Sequence, residues 1–518
     1  MLERPLDSWI ATWAEHRPHA PALSFGEGVC SYGELAGRID GWAAWLASAA
    51  GGRVGHGDRV AYLAQNRPEQ VELLFACARL GAMLVPLNWR LTPAEHAFQL
   101  GDADPAVVLA ERSYADHVTA TRWGGPVVDL AVAASAVERR GAAAVEARGR
   151  ATDGVLLVYT SGTTGRPKGA VLDQNALAAT ALNGVFAQDL TSGDRVLTTI
   201  PLFHVGGLCI QTLPALYVGA AVRIQPGFDP DSFFDDVASW RPTLGLLVPA
   251  ILAGLAVHPR WADADLSSLR GVMTGSSVVP AAVLAPWHER GVPCGQIYGC
   301  TETGPTALAL RLDDAVARAG SCGRAVPWCE VRLVDGDGRD VAAGERGELV
   351  VRGPNVLRAY WRNEAATADA FVAPIDGGAG WFRTGDIGHR DDEGWWYIDD
   401  RSKDVVISGG ENVYPAELEA VLADRAAELG IAEAAVVGRP DERWGEVPVA
   451  VVAPLEGTTV PVERVLAAFE GRLARYKHPK DVVVVERLPR NAMGKVQKFL
   501  LRDLLTPPTR LEDRPPAG

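Results

Sequence analysis

Over residues 1 to about 150, apolar positions fall alternately at helical spacing and in short β-branched runs. VGHGDRVAYLAQN supplies a strand, and PEQVELLFACARLGAMLVPLN supplies a helix followed by a strand. Gly and Pro punctuate the alternation, which predicts α/β layers with parallel sheet. DLAVAASAVERRGAAAVEARGRATDG is rich in Ala and Arg and poor in large apolar residues, so it reads as a surface helix and a loop. The strand-like GVLLVYT follows, and the alternation continues to about Gly320. From there to Asp400 the pattern shortens to strands and turns, as in EVRLVDGDGRDVAAGERGELVVRGPNV, predicting a small β-rich subdomain. Beyond DVVISGG the helix ENVYPAELEAVLADRAAEL begins at Pro415, which suits a first helical position. Strands AAVVG and VPVAVVAP, a helix VERVLAAFEGRLARY and a strand DVVVVE complete a compact α+β unit. The predicted fold class is thus α/β: a large N-terminal domain of layered sheets (1–400) with its β-rich subdomain, a junction at 401–404, and a small α+β domain at 405–518. The terminal PPTRLEDRPPAG reads as disordered.

Length agrees, since 518 residues exceed one ordinary core. The formal net charge of -14 argues against a general nucleic-acid or anionic-membrane binder. Seven scattered cysteines without a C-x-x-C pair argue against a disulfide framework or structural zinc site and favour a reducing compartment. The N-terminus lacks an apolar signal core, and the most apolar stretch, Pro201 to Ile224, is broken by His204, Gln211, Arg223 and glycines. A cytoplasmic protein without a transmembrane segment is expected.

The chemistry concentrates after GVLLVYT. Thr160-Ser161-Gly162-Thr163-Thr164-Gly165-Arg166-Pro167-Lys168-Gly169 combines hydroxyl donors, glycines that let backbone N–H groups approach an anion, and one cation. It is not a Walker A loop, because Lys168 is followed by Gly169 rather than Ser or Thr. YTSGTTGRPKGA resembles the signature phosphate loop of the adenylate-forming superfamily of acyl-CoA synthetases, adenylation domains and luciferases, and the resemblance runs in order through essentially the whole chain.

That resemblance implies ATP, Mg²⁺ and coenzyme A, and it implies roles residue by residue. Tyr298-Gly299-Cys300-Thr301-Glu302 is similar to the second ATP motif: Tyr298 stacks on adenine, Thr301 donates to the α-phosphate, and Glu302 holds the metal. Gly275-Ser276-Ser277 occupies the position whose backbone lines adenine. Arg383-Thr384-Gly385-Asp386 looks like the ribose motif, with Arg401 as a second contact. Lys403, in DRSKD, matches the hinge, while Ser408-Gly409-Gly410 matches the loop that lines the pantetheine tunnel after the domain swings. Lys495, in RNAMGK, matches the catalytic lysine, a point charge suited to an α-phosphate whose charge is redistributing.

Pro201-Leu-Phe203-His204-Val205-Gly-Gly207 resembles the aromatic motif between acyl pocket and thiol tunnel. His204 either gates the carboxylate or is a core histidine with satisfied partners. Val248, Ala250, Ile297 and Cys300 join Phe203, Val205, Gly207 and Gly275 as candidate pocket residues. No Asp follows the aromatic residue, so an α-amino acid is disfavoured and an apolar pocket is expected. The texture around RTGDIGHRDDEGWWYIDDRSKDVVISGGENVYPAELE most resembles bacterial fatty-acyl-CoA ligases, which puts a medium- or long-chain fatty acid first and an aromatic, alicyclic or steroid-derived acid second. Arg472, Arg475, Lys477 and Lys480 cluster as a phosphate site for coenzyme A or as an ordinary solvated helix end. A carrier-protein acceptor ranks behind free coenzyme A, a homodimer stays open, and a nucleotide-sensing binding protein is the non-enzyme alternative.

Overall fold

A computed structural model describes residues 5–140, 145–160, 167–275, 279–372, 380–408, 411–441, 443–470, 472–491 and 495–505. The chain divides into two compact units. One comprises Met1–Arg332, Val350–Thr384 and Glu393–Trp396; the other comprises Leu333–Leu349, Gly385–Asp392 and Tyr397–Gly518.

The first unit is built on two large sheets. A nine-stranded sheet runs in space through Arg324–Ala325, Leu308–Leu310, Cys294–Tyr298, Gly271–Gly275, Leu244–Leu246, Arg195–Thr198, Ala221–Ile224, Pro21–Phe25 and Gly28–Ser31. Its interior pairs are parallel and its edges antiparallel. Strand Gly271–Gly275 is buried throughout because both faces are covered. Val272 packs with Phe233 and Trp287, while the next residue, Met273, packs with Ile200 and Ile297 on the other side. The seven-stranded sheet runs Ala359–Tyr360, Lys168–Asp173, Gly154–Thr160, Met83–Pro86, Arg59–Leu63, Val107–Ala110 and Val127–Asp129. The α/β expectation holds here element by element: PEQVELLFACARL is the helix Pro68–Leu80, entered through its proline and left at Gly81 with φ +71°.

Pro201 to Ile224 resolves into a π-helix Gly206–Thr212, a short helix Leu213–Tyr217 and the strand Ala221–Ile224. Among the described residues no helix is long and apolar enough to cross a membrane. The predicted β-rich stretch contains the strands Glu330–Val334, Gly347–Arg352, Phe371–Val372, Trp381–Arg390 and Trp396–Arg401, and its residues are shared between the two units.

The second unit carries the sheet Glu411–Val413, Val406–Ser408, Gly445–Pro454, Ile431–Asp441, with Asp481–Val484 running parallel beside Gly445–Pro454. The long hairpin is in register at Val437↔Val449, burying an aliphatic face against Leu418, Leu422 and Phe469. Two helices are shorter than their patterns. Pro415–Asp424 stops at Arg425 before a last turn, Ala426–Leu429. VERVLAAFEGRLARY is helical only over Val462–Ala467, capped at Ala468, and Phe469 sinks fully into the core.

Candidate active site

In the first unit, strands Gly154–Thr160 and Lys168–Asp173 pair antiparallel with Thr160 opposite Lys168, so both ends of the phosphate loop are pinned by the sheet. Ser161, Gly162, Thr163, Thr164 and Gly165 lie outside the described residues, as do Ser276 and Ser277. Glu302 stands in a single 3-10 turn, Thr301–Thr303, between the buried Thr301 and Gly304, whose φ of +65° closes the turn. The Thr160 hydroxyl donates to Glu302 Oε1 at 3.2 Å, joining the second ATP motif to the first.

A residue the sequence motifs did not flag completes this cluster. Tyr360 donates its hydroxyl to the same Oε1 at 3.0 Å, and the Lys168 ammonium lies 5.2 Å from the centre of its ring. Burial first, then the Glu302 carboxylate, pushes the Tyr360 phenol far above its ordinary value, so it stays a donor. The short strand Ala359–Tyr360 pairs with Lys168–Asp173, placing Tyr360 opposite Ala170. The flanking Leu357 N–H donates to the Glu302 carbonyl and the Trp361 N–H to the Gly169 carbonyl, both at 2.7 Å. The only hint in the sequence is an aromatic pair, AYW, in a segment too short to show strand periodicity.

Among the described residues there is no group of three or more His, Cys, Asp or Glu able to cage a metal. None of them donates to Glu302 Oε2 either, so one carboxylate oxygen accepts from two hydroxyls and the other from none of the described residues. That donor set fits Mg²⁺, which keeps waters and phosphate oxygens and takes few protein ligands.

The residues expected to line an acyl pocket lie among apolar neighbours. Ile200, Ile210, Leu246, Met273, Ile297 and Ala309 form one buried cluster, with Val248 and Tyr298 packed against it. Ile251, rather than the exposed Ala250, packs there from the following helix. Cys300 packs instead on the largest core, as does Val205; Phe203 is also buried. Gly275 is required by close approach, since a Cβ would lie 2.5 Å from the Ile297 carbonyl oxygen. Gly299 and Gly207 are confined similarly by the Pro305 and Pro201 carbonyls. His204 is half-buried, and its Nδ1 accepts the Gly206 N–H at 2.9 Å, which leaves the proton of the neutral ring on Nε2. Desolvation lowers this imidazole to about 4, so it is uncharged at neutral pH. Both of its open alternatives survive: the ring has a satisfied Nδ1 and still has Nε2–H to offer.

The second unit assembles charges. Gly385 has φ +69°, a backbone that side chains other than glycine strain to adopt, and it precedes Asp386 in Trp381–Arg390. The Asp386 carboxylate, 5% exposed, pairs with Arg401 Nε at 2.8 Å, so both expected ribose contacts meet. Lys495 feels Arg401, Asp386, Asp404 and Lys403. Desolvation by the surrounding chain, and then Arg401, push its ammonium down to about 8; its side chain stays exposed, so water moderates the depression. The helix Lys498–Leu505 is tied to the residues around Lys403: Arg502 donates to the Lys403 carbonyl at 3.2 Å and pairs with Asp404. Ser408 is buried in strand Val406–Ser408; Gly409 and Gly410 lie outside the described residues. The basic cluster is partly spent, because Lys477 pairs with Glu417 and Arg472 with Asp424 at 3.8 Å.

Residues 10–361 match the family model described as AMP-binding enzyme, and 417–495 match the AMP-binding enzyme C-terminal domain. The chain belongs to the AMP-binding enzyme family. It is 47% identical to the indoleacetate--CoA ligase of Aromatoleum aromaticum, covering 98% of this chain and 99% of that protein. It is 39% identical to a feruloyl-CoA synthase of an Amycolatopsis species, covering 97% and 99%. Among solved structures, the O-succinylbenzoate coenzyme A synthetase of Bacillus subtilis, in complex with ATP and magnesium ion, superposes with a TM-score of 0.85 at 31% identity, over 97% and 100% of the two chains. This member of the family is an ATP-dependent, AMP-forming acid–CoA ligase that uses ATP, Mg²⁺ and coenzyme A, and its fold is that of the adenylate-forming ligases.

Proposed function

We propose that the acid is aromatic, an arylacetic or arylpropenoic acid, ahead of the fatty acid that the sequence texture favoured. The observation carrying this is the 47% identity over nearly the full length to a ligase named for indoleacetate. The candidate pocket residues Phe203, Val205, Val248 and Ile297 are apolar, as the recognition of an aryl group requires. A pyrophosphate-release panel tests it. Indoleacetate, phenylacetate and ferulate should exceed octanoate and palmitate in kcat/KM by at least about tenfold, roughly 1.4 kcal/mol of transition-state discrimination; leadership by the aliphatic acids overturns it.

The mechanism we propose uses two half-reactions. Thr160, Lys168 and the loop from Ser161 to Gly165 bind the phosphates. Ser276, Ser277, Tyr298 and Gly299 hold the adenine side, and Asp386 with Arg401 holds the ribose. Glu302 would hold Mg²⁺, which supplies charge neutralisation on the phosphates. The substrate carboxylate, oriented by His204, attacks the α-phosphorus beside Thr301. The bond to the bridging oxygen breaks and pyrophosphate leaves, while the Lys495 ammonium steadies the charge. Residues 405–518 then turn about Lys403, bringing Ser408, Gly409 and Gly410 to the acyl-adenylate. The coenzyme A thiol attacks the acyl carbon and AMP departs.

A further inference from the structure

We infer that Tyr360 is a positioning residue for the magnesium-binding carboxylate: its hydroxyl holds Glu302 Oε1 so that Oε2 is left to the ion. The inference rests on the proposed role of Glu302. A glutamate has three side-chain torsions, and fixing them at the moment of binding costs free energy that a pre-formed hydrogen bond removes beforehand. Two hydroxyls reach Oε1, yet they are not equivalent. Thr160 has one proton and two acceptors within reach, Glu302 Oε1 at 3.2 Å and the Lys168 carbonyl at 3.4 Å. Tyr360 commits its proton to Glu302 at 3.0 Å.

The phenol is also the more rigid donor. Its backbone is paired to Ala170, its N–H donates to Thr367 Oγ1 at 3.0 Å, and the next two backbone anchors bind Gly169 and Val171. The same segment clasps the Glu302 carbonyl through the Leu357 N–H. One short strand therefore fixes Glu302 at both its main chain and its carboxylate. It also places a ring beneath Lys168.

Tyr360→Phe isolates the hydroxyl, because the ring under Lys168 remains. The test measures ATP binding by calorimetry across a magnesium titration, without acid or coenzyme A, so that no turnover is involved. Removing one hydrogen bond to a charged group predicts an increase of about five- to thirtyfold in half-saturating magnesium. ATP affinity without magnesium and the melting temperature should stay at the wild-type values. Glu302→Gln is the control. If Glu302→Gln shifts the magnesium dependence and Tyr360→Phe does not, the role of Tyr360 is overturned and that of Glu302 stands. If Glu302→Gln leaves the dependence unchanged, the underlying role of Glu302 fails. An equal loss of ATP affinity with and without magnesium in Tyr360→Phe also overturns the inference, since the effect would then run through Lys168. Should Tyr360→Phe melt early, Tyr360→Trp carries the same titration with a ring retained.

Discussion

The two units hold their nucleotide-facing residues by different means. In the first, Glu302 is fixed by two hydroxyls on a frame of paired strands, with a single cation near the ring of Tyr360. In the second, Asp386, Arg401, Lys403, Asp404 and Lys495 form a crowd of formal charges, in which desolvation first and Arg401 second lower the titration of Lys495. Hydroxyl contacts depend little on salt or pH, whereas a charge cluster depends on both. Under the proposed mechanism, the first unit would receive the phosphates in one fixed geometry, and the cation of the second would act in only one half-reaction.

The largest effect should come from removing that cation. Lys495→Ala should lower acid-dependent pyrophosphate exchange by about 10²–10³-fold, some 3–4 kcal/mol, while thioester formation from supplied acyl-adenylate stays within a fewfold. Equal losses in both assays would erase the division between the units. Next, Lys403→Pro should keep acyl-adenylate formation and lose most thioester formation, measured separately by pyrophosphate release and thiol consumption; intact thioester production would remove the hinge. Asp386→Ala removes the carboxylate of the Asp386–Arg401 ion pair and should raise the KM for ATP by roughly thirtyfold, about 2 kcal/mol, in steady-state assays.

A pH profile sharpens the comparison further. The active form of Lys495 is the ammonium, and its pKa lies below the ordinary 10.5, so adenylation is full on the acid side and falls as pH rises through the lowered value. The kcat/KM for ATP, which reports the free enzyme, should show a descending limb between about 8 and 10.5 that Lys495→Arg removes. The smallest effect is structural: Gly385→Ala strains a left-handed backbone by about 1–2 kcal/mol and should lower the melting temperature by a few degrees.

What the sequence disclosed follows the length scale of each interaction. Helix and strand order in the first unit was legible because strands such as Gly154–Thr160, GVLLVYT, carry a near-continuous apolar run and are separated by Gly and Pro. The short helix Val462–Ala467 was not, since Phe469 and Leu473 continue a helical spacing beyond the point where the helix stops. The phosphate loop, Glu302 and Asp386 could be named because their chemistry sits in contiguous motifs. Tyr360 could not, because it meets Glu302 only across 58 residues of chain, through strand pairing that no local pattern encodes. The acid was least legible: the texture of the loops pointed to fatty acids, whereas the 47% identical relative is named for indoleacetate.

One buried segment of the first unit has an unusual construction. Gly206–Thr212 is wound as a π-helix, with the Thr212 hydroxyl donating back to the Gly207 carbonyl at 2.7 Å. Such a coil stores one residue more than an α-helix of equal rise. Deleting that residue would tighten the coil while the sheet on either side keeps its register. Changes in chain length are thus absorbed inside the coil, one residue at a time, before they reach the strands.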